Sequence, residues 1–227
     1  GSKAHNIRMR ERAIKQGLKL NEYGLFDAED KFVAGTQEEE IFKRLGLPFI
    51  PPVLREDQGE MEAAAAGCLP NIIELQDIRG DLHMHTNWSD GKYSTEEMIE
   101  AARKRGYTYV AITDHSKSLG VAGGLSDDDL LRHAEEIRAL GAKYPDIRVL
   151  AGTEADIRQD GTLDYPDELL AKLDFVVASI HSGFKQDRET LTGRVVRAMQ
   201  NPYARVIAHP TGRLLGDRDP YELNFDE

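Results

Sequence analysis

The chain has 227 residues, 40% of them hydrophobic and 7% aromatic, enough to bury one sizeable core and a small second unit. Its 29 lysines and arginines against 40 aspartates and glutamates leave a net charge of −11. That balance argues against a surface built throughout for phosphate backbones, because such binding is driven by counterion release onto basic patches. No stretch reaches the roughly 18 consecutive apolar residues of a membrane span, and the polar, basic start lacks a signal-peptide core. The single cysteine, Cys68, excludes an internal disulfide and a thiolate zinc cluster and suits a cytoplasmic protein.

Residues 3–16 are good helix formers ending at Gly17, a C′ glycine, and Leu18-Lys19-Leu20 before Asn21-Glu22-Tyr23-Gly24 predicts a small hairpin. This start is basic: Arg8, Arg12, Lys15 and Lys19 fall at helical spacing and are candidate contacts to a DNA backbone. Thr36 and Glu39 stand at capping-box spacing ahead of Ile41, Phe42 and Leu45, and Gly46 then Pro48 close that short helix. Pro48, Pro51 and Pro52 make 47–54 an extended connector. The polar, Ala-rich stretch 56–71 reads as a linker, which divides the chain into 1–55, 56–71 and 72–227.

After residue 72 short apolar runs alternate with capped helices. Strands are expected at 80–85, 109–114, 148–153, 175–181 and 205–209, and helices at 95–104, 126–140, 166–173 and 189–200, the first opened by Ser94 with Glu97. Such alternation implies parallel strands with crossover helices, and a run such as Phe175-Val176-Val177-Ala178 implies burial on both faces. Five strands are too few to close a barrel, so the pattern predicts an α/β barrel interrupted before its last strands.

Five of the seven histidines, His83, His85, His115, His181 and His209, fall at the C-terminal ends of expected strands, and Glu154 follows the end of another. In α/β barrels those ends converge on one face, where ligands and catalytic groups collect. His83 and His85 are two apart, so on one strand their side chains point the same way. Imidazole with carboxylate suits Zn, Mn or Fe and metal-assisted hydrolysis, with Glu154 the carboxylate placed to bridge two ions. Asp114 enters as a ligand or as a group that fixes an imidazole tautomer. Lys117, Lys185 and Arg213 follow strand ends as candidate phosphate clamps, competing with the reading of solvated loop charges. Trp88 and Tyr93 are candidate stacking platforms for a base or local packing aromatics. His5 and His133 lie within expected helices and read as ordinary histidines.

Asp81-Leu82-His83-Met84-His85-Thr86 with Ser89-Asp90-Gly91, followed by Thr113-Asp114-His115, Gly152-Thr153-Glu154, Ile180-His181-Ser182 and Ala208-His209-Pro210, resembles the PHP (polymerase and histidinol phosphatase) family. The resemblance implies a distorted, TIM-like, seven-stranded α/β barrel with up to three divalent metals. It implies that His83, His85 and Glu154 share one ion, Glu154, His181 and His209 a second, and Asp90 with His115 a third. A late Asp-x-His motif that completes the first and third sites in the family is absent here, so weakened hydrolysis is expected. Glu154, His83, His85 and Asp114 are the expected catalytic set. The N-terminal residues, with Leu18-Lys19-Leu20-Asn21-Glu22-Tyr23-Gly24-Leu25-Phe26, resemble the end of the thumb of bacterial family X DNA polymerases. That resemblance implies an upstream polymerase domain and a manganese-dependent 3′–5′ exonuclease acting in DNA repair on 3′ ends of gapped or single-stranded DNA. A small-molecule phosphatase of the histidinol-phosphatase type and an inactive scaffold for the polymerase are the competing expectations.

Overall fold

The computed structural model describes residues 1–226, which divide into two compact units, Gly1–Ile73 and a second from Glu74 onward. In the first unit α1 (Lys3–Lys15) is capped by Ser2, whose hydroxyl accepts from the His5 backbone N–H at 3.1 Å. The helix ends as expected on Gly17 at φ 71°, where Gly17 N–H reaches Ile14 and Leu18 N–H reaches Ala13, a Schellman pairing. Strands β1 (Lys19–Asn21), β2 (Gly24–Phe26) and β3 (Phe32–Ala34) form an antiparallel sheet, one strand more than the expected hairpin.

Two local expectations are corrected. The cap of α2 (Glu38–Arg44) lies one residue later than Thr36 and Glu39: the Glu40 carboxylate accepts from the backbone N–H groups of Gly35, Thr36 and Gln37. The stretch 56–71 is not simply a linker, because α3 (Glu60–Ala65) buries Met61 and Ala64 in the same core as Met9, Ala13, Leu25 and Phe42. Apolar contact between α3 and α1 outweighs the polar composition that suggested a boundary there.

The second unit is a five-stranded parallel sheet in sequential order: β4 (Gly80–Met84), β5 (Tyr109–Ile112), β6 (Arg148–Asp156), β7 (Phe175–Ser179) and β8 (Val206–Ile207). Helices α4 (Thr95–Lys104), α5 (Asp127–Gly141), α6 (Asp167–Leu170) and α7 (Arg188–Met199) alternate with the strands. The sheet is a barrel-type α/β wall, with β4 and β8 at its two edges. Ser94, Ser126 and Asp187 cap α4, α5 and α7. One core joins Ile99, Val110, Ile112, Ile137 and Ala151; a second joins Leu130, Ala155, Leu170, Val176, Ala178 and Leu191. Each fully buried valine, leucine or isoleucine in them contributes about 1.5–3 kcal/mol. Strand β6 is central and runs three residues past its expected end, to Asp156. Among the described residues no helix is long and apolar enough to cross a membrane.

Candidate metal centre

Glu154 sits on β6 and is 1% exposed. Its Oε1 lies 2.9 Å from His209 Nε2 and 3.4 Å from His181 Nε2. Its Oε2 lies 2.9 Å from His115 Nδ1, 3.3 Å from His83 Nε2 and 3.4 Å from His85 Nε2. All five strand-end histidines thus converge on one carboxylate. The backbone explains how. His83 and His85 share a face of the chain leaving β4, and the parallel bridge between His115 and Glu154 sets those two side by side. His209 follows β8 at φ 28°, in the left-handed region that costs a residue with Cβ about 1–3 kcal/mol. Its carbonyl accepts from Gly212 N–H at 2.8 Å, which holds the turn.

Burial alone would raise the Glu154 carboxyl, but the surrounding imidazoles of His115, His181, His209 and His83 outweigh it and hold Glu154 ionised far below the ordinary carboxylate range. Burial, reinforced by neighbouring His115, lowers His85 and keeps it neutral with a lone pair to offer. His181 would also be lowered by burial, yet Asp156 and Glu154 together raise it to about 9.

The donor set fits divalent cations. The Nδ1 atoms of His85 and His115 are buried without a hydrogen-bond partner, and His115 Nδ1 approaches Glu154 Oε2 outside hydrogen-bond geometry. Buried imidazole nitrogens that face carboxylates without a hydrogen bond are an arrangement that a bound cation would satisfy. Two triads bring their ligating atoms within 4.8 Å of one another: His83, Glu154 and His209, and His85, His115 and Glu154. These groupings cross those that the resemblance implied, since His83 and His85 fall in different triads. Asp90 stands at the rim, its Oδ1 3.7 Å from His85 Nδ1 and its Oδ2 3.5 Å from His115 Nε2.

Asp114 does not join this group. Its carboxylate is fully buried and accepts from Thr86 N–H at 2.7 Å, Thr86 Oγ1 at 2.8 Å, Ser89 Oγ at 2.5 Å and His133 Nε2 at 2.8 Å. With those lone pairs committed, it braces the loop after β4 instead of reaching a reacting atom. Three of the expected phosphate contacts have partners within the chain. Arg8 pairs with Asp57 and Glu62, Arg12 Nε donates to the Leu45 carbonyl at 2.8 Å, and Lys117 pairs with Asp127 at 2.6 Å. Lys15, Lys185 and Arg213 are exposed, with no carboxylate partner among the described residues. Trp88 stacks on His133 with ring centroids 4.7 Å apart, so it packs locally, while Tyr93 is half exposed.

Sequence reasoning missed Asp156, whose Oδ1 lies 2.5 Å from His181 Nδ1. The available signal was its spacing two residues beyond Glu154, which on an extended strand puts both carboxylates on one face.

A parallel α/β wall with imidazoles and carboxylates gathered over its strand ends is the architecture of a barrel-type protein with a metal centre. The chain belongs to the PHP family: the PHP domain matches residues 81–223. Residues 1–56 match the DNA polymerase beta thumb, so the order is thumb then PHP domain, as in a bacterial family X DNA polymerase. Over 228 aligned residues the chain is 47% identical to the DNA polymerase/3′-5′ exonuclease PolX of Bacillus subtilis, covering 100% of this chain and 40% of that protein. It is 37% identical over 134 residues to a protein of Acetivibrio thermocellus named "Probable phosphatase", covering 57% of this chain and 53% of that one. The chain therefore spans about half or less of the length of these relatives. A solved histidinol phosphate phosphatase of Lactococcus lactis, in complex with zinc, L-histidinol and phosphate, is 22% identical with a TM-score of 0.34, over 46% of this chain and 41% of that one.

Proposed function

We propose that this chain hydrolyses phosphodiester bonds with the help of divalent metal ions, and that its substrate is the 3′ end of a DNA strand. In this reading it is a 3′–5′ exonuclease within a cytoplasmic family X polymerase serving DNA repair. The observation that carries the reading is the single buried carboxylate of Glu154 facing five imidazoles over the strand ends. His83, His85, His115, His181, His209, Glu154 and Asp90 would hold the metal, manganese or zinc by their donor types. Bound divalent ions supply Lewis acidity at phosphate oxygens and lower the pKa of a water.

The chain's own residues do the rest. Glu154 stays ionised and gives the site its fixed negative charge. Asp156 orients the His181 ring, and Asp114 holds the loop that carries Asp90. Lys185, after β7, and Arg213, after β8, are free to meet the charge of a phosphate. The thumb match at residues 1–56 supports DNA over a small molecule, and an upstream polymerase domain as neighbour in the parent protein. Similarity to a protein named as a phosphatase favours the second reading, a small-molecule phosphatase.

The test is nucleotide release from 3′-labelled single-stranded DNA with added manganese, by the chain and by its Glu154→Ala variant, beside a small phosphomonoester. Release from DNA that the substitution abolishes is the expected result. Cleavage of the phosphomonoester alone would move the assignment to the phosphatase. No cleavage of either by a folded, metal-loaded chain would leave the scaffold reading.

A further inference from the structure

We propose that His133, on the outer helix α5, is a positioning residue for the metal centre: through Asp114 it sets the loop that presents Asp90 to His85 and His115. The inference rests on the metal-centre reading and extends it to a residue that sequence reasoning took as ordinary.

The connection is continuous. His133 is fully buried, and its Nε2 lies 2.8 Å from Asp114 Oδ2. Among the described residues its Nδ1 has no partner, so the proton belongs on Nε2, where it is donated to the carboxylate. Asp114 passes this constraint to the loop after β4 by accepting from both Thr86 donors and from Ser89 Oγ. The Thr86 carbonyl in turn accepts from Ser89 N–H at 3.1 Å and Gly91 N–H at 2.9 Å, which closes the loop on either side of Asp90. That loop lies tight on the strand end: a Cβ at Gly91 would come within 2.5 Å of the His85 carbonyl oxygen.

Packing fixes the other end. The Trp88 ring covers His133, and its indole N–H donates to Glu136 Oε1 at 3.3 Å, one turn further along α5. The same carboxylate oxygen accepts from Thr95 Oγ1 at 2.9 Å, at the start of α4. A buried imidazole with one committed nitrogen is stiff, and a carboxylate with four donors has one low-energy orientation. Asp90, by contrast, is about half exposed and among the described residues has no hydrogen-bonded anchor of its own, so its place 3.5 Å from His115 depends on the loop. Groups that orient a ligand in this way change metal affinity about 10–100-fold when removed.

Trp88 is the only tryptophan in the chain and sits in this loop, so its fluorescence reports the site directly. The experiment titrates manganese into the chain and its variants, following Trp88 emission and counting bound ions by equilibrium dialysis, with circular dichroism to confirm folding. His133→Leu is expected to weaken the ion that Asp90 contacts about tenfold, and His133→Gln, which restores an N–H donor, is expected to recover most of the loss. Ser89→Ala, which leaves the core untouched, should weaken binding in the same direction, and it carries the test if His133→Leu fails to fold. Wild-type affinity in folded His133→Leu or in Ser89→Ala, or a His133→Gln as weak as the leucine variant, would overturn this inference alone. A folded wild-type chain that binds no divalent metal would overturn the metal-centre reading and this inference with it.

Discussion

Asp156 Oδ1 lies 2.5 Å from His181 Nδ1, at the far end of the strand that carries Glu154. The carboxylate holds a proton on Nδ1 and leaves Nε2, 3.4 Å from Glu154 Oε1, to face the centre. Asp156 is itself held, since its backbone N–H donates to Ser116 Oγ at 2.9 Å.

Asp156→Asn is therefore expected to keep the fold but loosen the orientation of the His181 ring, lowering metal affinity and phosphodiester hydrolysis about 10–100-fold. Manganese binding and nucleotide release, measured together, check this. Unchanged values for both would remove Asp156 from the site.

Two glycines should respond oppositely to the same change. A Cβ at Gly91 would meet the His85 carbonyl carbon and oxygen at 2.6 and 2.5 Å, so Gly91→Ala should cost about 1–3 kcal/mol and disturb Asp90. A Cβ at Gly193, inside α7, meets nothing within 4 Å, so Gly193→Ala should stabilise by about 0.5–1 kcal/mol. Urea unfolding of the two variants decides it, and equal midpoints would contradict the crowding at Gly91.

What could be read in advance follows from which signals are local. Strand cores such as Val176 to Ala178, and caps such as Ser94 with Glu97, are written in neighbouring residues and appear where expected. The convergence of His83, His85, His115, His181 and His209 followed from one rule, that parallel strands end on one face. The partners of Asp114 were not legible, because Thr86 and Ser89 lie in the loop after β4 and His133 on α5, both distant in sequence. Nor was the engagement of Arg8 with Asp57 and Glu62, where residues about fifty positions apart neutralise a charge that looks free in sequence. Helix α3 was obscured because its burial depends on α1, which its own polar residues do not announce.

If the imidazole cluster holds divalent ions, the second unit should gain stability from them. A ligand that binds only the folded state at a hundred times its Kd contributes about 2.7 kcal/mol. Unfolding followed by Trp88 emission should therefore shift upward with manganese or zinc, return on chelation, and show no shift in Glu154→Gln. A wild-type curve indifferent to both metals would contradict the ligand assignment.

The first unit carries a pH dependence of its own. Glu60 is 7% exposed and its Oε1 lies 2.7 Å from His5 Nδ1 on α1, while its two oxygens accept the backbone N–H groups of Asp57 and Gln58 at 3.0 and 2.8 Å. Burial alone would raise this carboxyl, but the His5 bond and the backbone donors outweigh it and hold Glu60 at about 2. A folded-state value below the ordinary 4.5 means that the ionised carboxylate stabilises the fold fully above that pH and loses its contribution as pH falls toward 2. Glu60→Gln removes the charge while leaving one acceptor, so the variant should be less stable at neutral pH by about 1–3 kcal/mol. The difference should shrink between pH 4.5 and 2, as the wild-type carboxylate takes up its proton. Hydrogen exchange of the α1 amides across that range reads the effect in the first unit itself. A gap between the two proteins that stays constant down to pH 2 would show that the contact between α1 and α3 owes its strength to packing around Met9, Ala13 and Met61 and not to the carboxylate.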